Sequence, residues 1–124
     1  MASRILCVDD DQDITEFLNI VLREQGYDVI SINSPSNIFD LIQEYKPDLI
    51  LLDVYMGPHN GMEICKAMKS YTRTEDTPVL IITSDEDVKD AVKDFGATDI
   101  ILKPFKTELL IGKIRSYLPP KVSG

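Results

Sequence analysis

The chain has one histidine, His59, and two cysteines, Cys7 and Cys65. That scarcity removes several kinds of chemistry. The cysteines show no CxxC spacing and no disulfide framework, and two such thiols fit a reducing compartment. His59 has no second His or Cys near it in sequence, so it reads as a loop residue rather than a metal ligand or phosphodonor. Basic residues are also short: 13 against 21 acidic ones, a net charge of −8. This argues against direct, unaided nucleic-acid contact, which needs a basic face. No apolar run approaches the ~20 residues of a membrane span. The first residues lack the layout of a signal peptide. The expected location is the cytoplasm, with no membrane partner.

What is present is an alternation of two hydrophobic periods along 124 residues, the length of one domain. The runs "ILCV" (5–8), "DVISI" (28–32), "LILL" (49–52), "VLIIT" (79–83) and "DIIL" (99–102) are short and continuously apolar. That is the habit of parallel strands buried on both faces. Between them the period becomes helical. Ile14, Phe17, Leu18, Val21 and Leu22 mark a first helix, with Gly26 where a C-terminal cap belongs. Ser34-Pro35 opens a second, striped by Ile38, Leu41, Ile42 and Tyr45. Ile64, Ala67, Met68 and Tyr71 mark a third; Val88, Ala91, Val92 and Phe95 a fourth, closed by Gly96; Leu110, Ile114, Tyr117 and Leu118 a fifth. The order βαβαβαβαβα with right-handed crossovers predicts an α/β, doubly wound, five-stranded parallel sheet in three αβα layers. The expected domain is 1–118, and 119–124 reads as a linker-like or frayed tail.

In open α/β sheets, sites form outside the carboxyl ends of the strands. Here the first strand runs into Asp9, Asp10 and Asp11, and the third ends in Asp53. The fourth ends in Thr83-Ser84 and the fifth in Lys103-Pro104. Two carboxylates ~4 Å apart at an effective dielectric near 20 repel by about 4 kcal/mol. A helix N-terminus needs only one aspartate as a cap, the role expected of Asp11. Gathering further acids at one rim makes sense if together they attract a divalent cation.

The motifs "VDDD", "LLDVYMGPHNG", "IITS" and "LKPF", in this order and with these gaps, closely resemble the receiver domain of two-component response regulators. The resemblance covers the chain from first strand to fifth helix. It implies the flavodoxin-like strand order 2-1-3-4-5 and a phosphoacceptor at Asp53. It further implies Mg²⁺ held directly by Asp10 and Asp53, by the backbone carbonyl of Tyr55, and by Asp9 mainly through water. Thr83 and Lys103 would each meet a phosphoryl oxygen. Lys103-Pro104 would be a cis peptide, a form for which X–Pro bonds lose most of the usual bias. The implied partner is a sensor histidine kinase or phosphotransfer protein. The implied switch lies on the face of the fourth helix, fifth strand and fifth helix. Such a domain modifies itself rather than turning over substrate as an enzyme, and is a monomer or a phosphorylation-dependent dimer. Its downstream effector or fused output domain cannot be named from these residues.

Two positions depart from the commonest receiver, and two more flank the phosphoryl group. The proline expected four residues after the acceptor is Gly57, with Pro58 following and the spacing to Gly61 kept. An aromatic common in the fifth strand is Ile100. Tyr55 and Asp85 flank the phosphoryl position and are expected to modulate its lifetime. Three other classes fit less well. A phosphorylation-independent pseudo-receiver usually loses an acidic, hydroxyl or lysine position, and none is lost here. An aspartate-nucleophile phosphatase would show DxDxT, which "DDDQD" does not supply, and a flavodoxin-type carrier would need a phosphate-cradling loop after the first strand.

Overall fold

The computed structural model describes residues 2–70, 76–89 and 92–118, with the backbone alone at Val92. Five strands, β1 (Arg4–Val8), β2 (Asp28–Ile32), β3 (Leu49–Asp53), β4 (Val79–Thr83) and β5 (Asp99–Leu102), form one parallel sheet in the order β2-β1-β3-β4-β5. The flavodoxin-like order expected from the sequence is the one observed. Among the described residues the four α-helices are α1 (Gln12–Glu24), α2 (Ile38–Tyr45), α3 (Gly61–Lys69) and α4 (Thr107–Tyr117).

Continuous apolarity in the strands has a direct structural cause. Leu6, Val8, Ile50, Leu52, Val79 and Ile81 face one layer, packed with Ile38 and Ile42 of α2 and Met62, Cys65 and Met68 of α3. Their neighbours Ile5, Cys7, Leu49, Leu51, Leu80, Ile82 and Ile101 face the other, packed with Leu18, Val21 and Leu22 of α1 and Leu110 and Ile114 of α4. Each fully buried aliphatic side chain contributes about 1.5–3 kcal/mol, so both faces of the sheet are driven inward. Helix α1 ends in a Schellman pattern, with Gly26 at φ +91°. The Gly26 and Tyr27 amides donate to the Arg23 and Leu22 carbonyls at 3.0 and 3.2 Å.

Three local readings need correction. Ser34-Pro35 does not open α2: the Ile38 amide donates to the Pro35 carbonyl at 3.0 Å, closing a turn, and the helix begins at Ile38. In α3 the buried stripe is Met62, Cys65 and Met68, while Ile64 and Ala67 are half-buried. Sulfur side chains take the core positions because Met adapts to irregular space and free Cys behaves as a small hydrophobe. In place of a fourth α-helix, the described residues form 3₁₀ turns at Glu86–Val88 and Val92–Phe95, ending at Gly96 with φ +87°. β-Branched valines weaken the helix here, and the Asp85 carboxylate captures the Asp87 amide at 2.9 Å. Tyr71, Ala91 and the tail 119–124 lie outside the described residues.

Candidate functional site

Strand register brings the site together. Val8 pairs with Leu52, Asp53 with Ile82, and Thr83 with Leu102. Asp9, Asp53, Thr83 and Lys103 therefore leave the sheet at one carboxyl-end rim. Asp9 and Thr83 are almost fully buried, Asp53 is buried at 5% exposure, and Asp10 is exposed.

Carboxylate oxygens of Asp9, Asp10 and Asp53 lie within 4.8 Å of one another. The Lys103 ammonium stands 2.8 Å from Asp9 Oδ2 and 3.5 Å from Asp53 Oδ1. One cation thus serves two buried carboxylates and leaves both short of compensation. Burial, then the charge of Asp9, push the Asp53 carboxyl up to about 6, with Lys103 pulling partly the other way. Burial acts to lower the Lys103 ammonium, but the two aspartates outweigh it and hold it above its usual value. Asp9 Oδ1 accepts from the Asp11 amide at 3.0 Å. Asp9 Oδ2 is buried with no aligned hydrogen bond despite the nearby ammonium. Three carboxylates with oxygens within 4.8 Å of one another and one ammonium shared between two of them form an anionic all-oxygen set that fits a hard divalent cation.

Asp10 makes no hydrogen bond or ion pair among the described residues, whereas Asp11 caps α1 by accepting from the Asp13 amide at 2.9 Å. The Lys103–Pro104 peptide is cis. Thr83 Oγ1 accepts from the Asp85 amide at 3.1 Å, and the Lys103 amide donates to the Thr83 carbonyl at 2.7 Å. Ile100 is half-buried against the core layer of α2 and α3. Tyr55 is more than half exposed, and its hydroxyl donates to Asp85 Oδ2 at 2.5 Å. The two flanking positions, read separately from the sequence, form one bridge across the rim.

The loop after β3 adopts its own turn. Tyr55–Met56 pairs with His59–Asn60 in a short antiparallel ribbon. Gly57, at φ +59°, takes the first turn position, where a positive φ favours glycine. His59 is exposed there, outside the carboxylate cluster. Gly61 matters more than the sequence suggested. A Cβ at Gly61 would lie 2.0 Å from the Asp53 carbonyl oxygen, and its amide donates to the Val54 carbonyl at 2.7 Å. Absence of a side chain lets the start of α3 abut the backbone of the central aspartate.

A cavity of about 420 Å³ beside the rim is lined by Ile14, Phe17, Ser84, Lys103, Pro104 and Phe105. Phe17, an expected core residue of α1, instead contacts the Phe105 ring at a centroid distance of 6.0 Å. Both cysteines are free and buried. Burial pushes the Cys7 thiol up to about 12, so it is a core residue and not a nucleophile.

A sheet of this order with acids, a hydroxyl and an ammonium at its carboxyl rim has the architecture of an α/β receiver-type domain. The family model described as "Response regulator receiver domain" matches residues 5–115, and the chain belongs to that family. It is a receiver domain of the two-component response regulators. The DNA-binding response regulator MtrA of Mycolicibacterium smegmatis is 36% identical over 120 residues, covering 95% of this chain and 51% of that protein. A response regulator from Chloroflexus aurantiacus superposes with TM-score 0.89 at 31% identity, covering 95% of this chain and 98% of that one. Vibrio cholerae chemotaxis protein CheY4 gives TM-score 0.88 at 28% identity, with 95% and 100% covered. The chain spans about half the length of the curated relatives it matches. The expectation of no nucleic-acid partner gains no support from relatives described as DNA-binding; net charge speaks only for these 124 residues. Among the described residues, no helix is long and apolar enough to cross a membrane.

Proposed function

We propose that Asp53 accepts a phosphoryl group from the phosphohistidine of a sensor kinase or phosphotransfer protein in the cytoplasm. The observation that carries this reading is the Lys103 ammonium shared between buried Asp9 and Asp53, with Asp10 beside them. An Asp53 carboxylate oxygen attacks phosphorus. The P–N bond breaks, its electron pair stays with the imidazole, and an acyl phosphate forms. Attack by water later restores the carboxylate and releases phosphate.

Catalysis of this transfer is positioning and charge stabilisation. Mg²⁺ is the proposed cofactor, held by Asp10, Asp53, the Tyr55 carbonyl and, through water, Asp9. When bound, it offsets charge on the phosphoryl oxygens. Lys103 turns its ammonium to one of those oxygens and Thr83 offers its hydroxyl to another. The modification then biases the face formed by residues 86–89 and 92–95, β5 and α4 between two arrangements. The output is a separate effector or a fused domain, and the domain itself is a monomer or a phosphorylation-dependent dimer. A phosphorylation-independent binding module is disfavoured, because every acidic, hydroxyl and lysine position is retained.

Incubation with acetyl phosphate and Mg²⁺, read by intact mass, should give one phosphoryl adduct. The adduct should vanish in Asp53→Asn and when the cation is chelated. An undiminished adduct in Asp53→Asn would refute the assignment.

A further inference from the structure

Helix α1 and edge strand β2 are joined by a ladder of polar contacts. The Asn33 amide donates to Thr15 Oγ1 at 3.1 Å, the Ser31 hydroxyl to Asn19 Oδ1 at 2.6 Å, and the Arg23 guanidinium to the Val29 carbonyl at 3.0 Å. The rungs step by four residues along α1 and by two, in the opposite direction, along β2. Four helical residues rise about 6 Å and two strand residues about 6.6 Å, so the two spacings keep in step. The ladder fixes the axial position of α1 against the sheet.

Its last rung opens onto the acidic loop. The same Asn33 Nδ2 donates to the Asp9 carbonyl at 2.8 Å. Both its partners require a donor: the Asp9 carbonyl only accepts, and the Thr15 hydroxyl already donates to the Gln12 carbonyl at 3.0 Å. Asn33 therefore ties the Asp9 backbone to the first turn of α1, spanning the loop that carries Asp10. Mutual repulsion among Asp9, Asp10 and Asp53 tends to splay that loop. The Asp9 amide also donates to the Ile32 carbonyl at 3.2 Å, and Lys103 meets its carboxylate at 2.8 Å. Asp11 is held by its amide on Asp9 Oδ1 and by the Asp13 and Thr15 amides, which donate to its carboxylate and carbonyl. Asp10, between them, has no such bond among the described residues.

We infer that Asn33 is a positioning residue for divalent-cation binding, holding the Asp9 and Asp10 carboxylates in place before the ion arrives. The inference rests on reading the aspartate cluster as a Mg²⁺ site. Loss of one such hydrogen-bonded tie should weaken Mg²⁺ affinity about fivefold in Asn33→Ala.

The test is calorimetric titration of MgCl₂ into the parent, Asn33→Ala, Asn33→Asp and Ser31→Ala proteins, each checked for folding by thermal melting. Ser31→Ala cuts the middle rung and should cost stability while keeping Mg²⁺ affinity within about twofold of the parent. Asn33→Asp adds a negative charge near the ion, which by charge alone would tighten binding, yet removes the donor and should weaken it. Parent-like affinity in Asn33→Ala, tighter binding in Asn33→Asp, or an equal loss in Ser31→Ala would overturn the role. Should Asn33→Ala not fold, Thr15→Val loosens the same amide from its other end, and parent-like affinity there overturns the role as well. A parent protein that binds no Mg²⁺ refutes the metal reading itself, and the inference with it.

Discussion

The Tyr55 hydroxyl donates to the Asp85 carboxylate at 2.5 Å, joining the loop after β3 to the loop after β4 over the rim that holds Asp53. This bond raises the phenol and lowers the carboxyl from their usual values. Taken singly these residues would act in opposite directions, since the bulk of Tyr55 can obstruct an attacking water and the Asp85 carboxylate can orient one. Bonded to each other, they act as a unit: the carboxylate oxygen that takes the phenol is not free to take a water.

Tyr55→Ala should therefore speed loss of the phosphoryl group, and Tyr55→Phe, which keeps the ring but frees Asp85, should do so less. The decisive comparison is a double-mutant cycle with Asp85→Ala. If the bridge matters, the double variant Tyr55→Phe/Asp85→Ala decays within about twofold of Asp85→Ala alone. Strictly multiplicative effects of the two changes on the decay rate would show that the residues act separately.

Asp9 and Asp10 should differ in kind when neutralised. Asp10 is exposed and without an internal partner among the described residues, so Asp10→Asn should cost about tenfold in Mg²⁺ affinity while leaving the melting temperature unchanged or higher. Asp9 is buried against Lys103. Asp9→Asn should destabilise the metal-free fold by about 1 kcal/mol for the lost charged contact. The cost is no greater, because Lys103 keeps Asp53 as a partner and the repulsion on Asp53 is relieved. Paired urea melts and Mg²⁺ titrations separate the two. A larger affinity loss at Asp9 than at Asp10 would reverse the assignment of direct and water-bridged ligand.

How much of this was legible in the sequence follows from what each signal depends on. The strands were readable because burial on both faces forces a run such as "VLIIT" to be apolar throughout. The rim was readable because register in a parallel sheet carries strand-end residues to one side. Local chemistry misled at Pro35, where proline fits a turn as well as a first helical position. The 3₁₀ turns of residues 86–88 and 92–95 hid behind an acceptable helical stripe. Met62 and Cys65 give a weak core signal in sequence because sulfur side chains are less diagnostic of burial than a stripe of Ile, Leu and Val. The Asn33–Thr15 and Tyr55–Asp85 contacts join residues distant in sequence, and only the fold supplies that proximity. A matched polar spacing on α1 and β2 (Thr15, Asn19, Arg23 against Asn33, Ser31) was the available clue to the first.

Asp99 gives a pH dependence away from the acidic rim. Burial disfavours its charge, but the Tyr117 hydroxyl at 2.6 Å, the Lys113 ammonium at 2.9 Å and the Ile100 amide at 2.8 Å outweigh that and hold its carboxyl below the usual value. A carboxyl lowered on folding adds stability that is complete above the unfolded value near about 3.9 and is lost as pH falls through the folded value. The stability difference between parent and Asp99→Asn should thus be steady at about pH 6 and shrink below about pH 4. Urea melts across that range measure it. A difference that stays constant to acid pH would mean the three contacts do not favour the charged form.

Thr83 is the point where chemistry at Asp53 can reach the rest of the domain. Its hydroxyl is buried and accepts from the Asp85 amide. Asp85 in turn holds the Tyr55 hydroxyl and the Asp87 amide at the start of the 86–88 turn. If the Thr83 hydroxyl swings to a phosphoryl oxygen, the Asp85 amide loses its acceptor and the whole bridge must readjust. Ile100 cannot relay such a motion by changing partners: it is β-branched, stiff at χ1, and packed into the α2–α3 core layer. Thr83→Ala should accept phosphate from acetyl phosphate, about threefold more slowly for want of one hydrogen bond, yet fail to transmit it. Amide shifts of residues 86–89 and 92–95, recorded with and without a phosphoryl mimic, should move fully in the parent and in Ile100→Val. They should stay near their resting values in Thr83→Ala. Full movement in Thr83→Ala would place the coupling elsewhere, with the Lys103 side of the rim the remaining connection to β5.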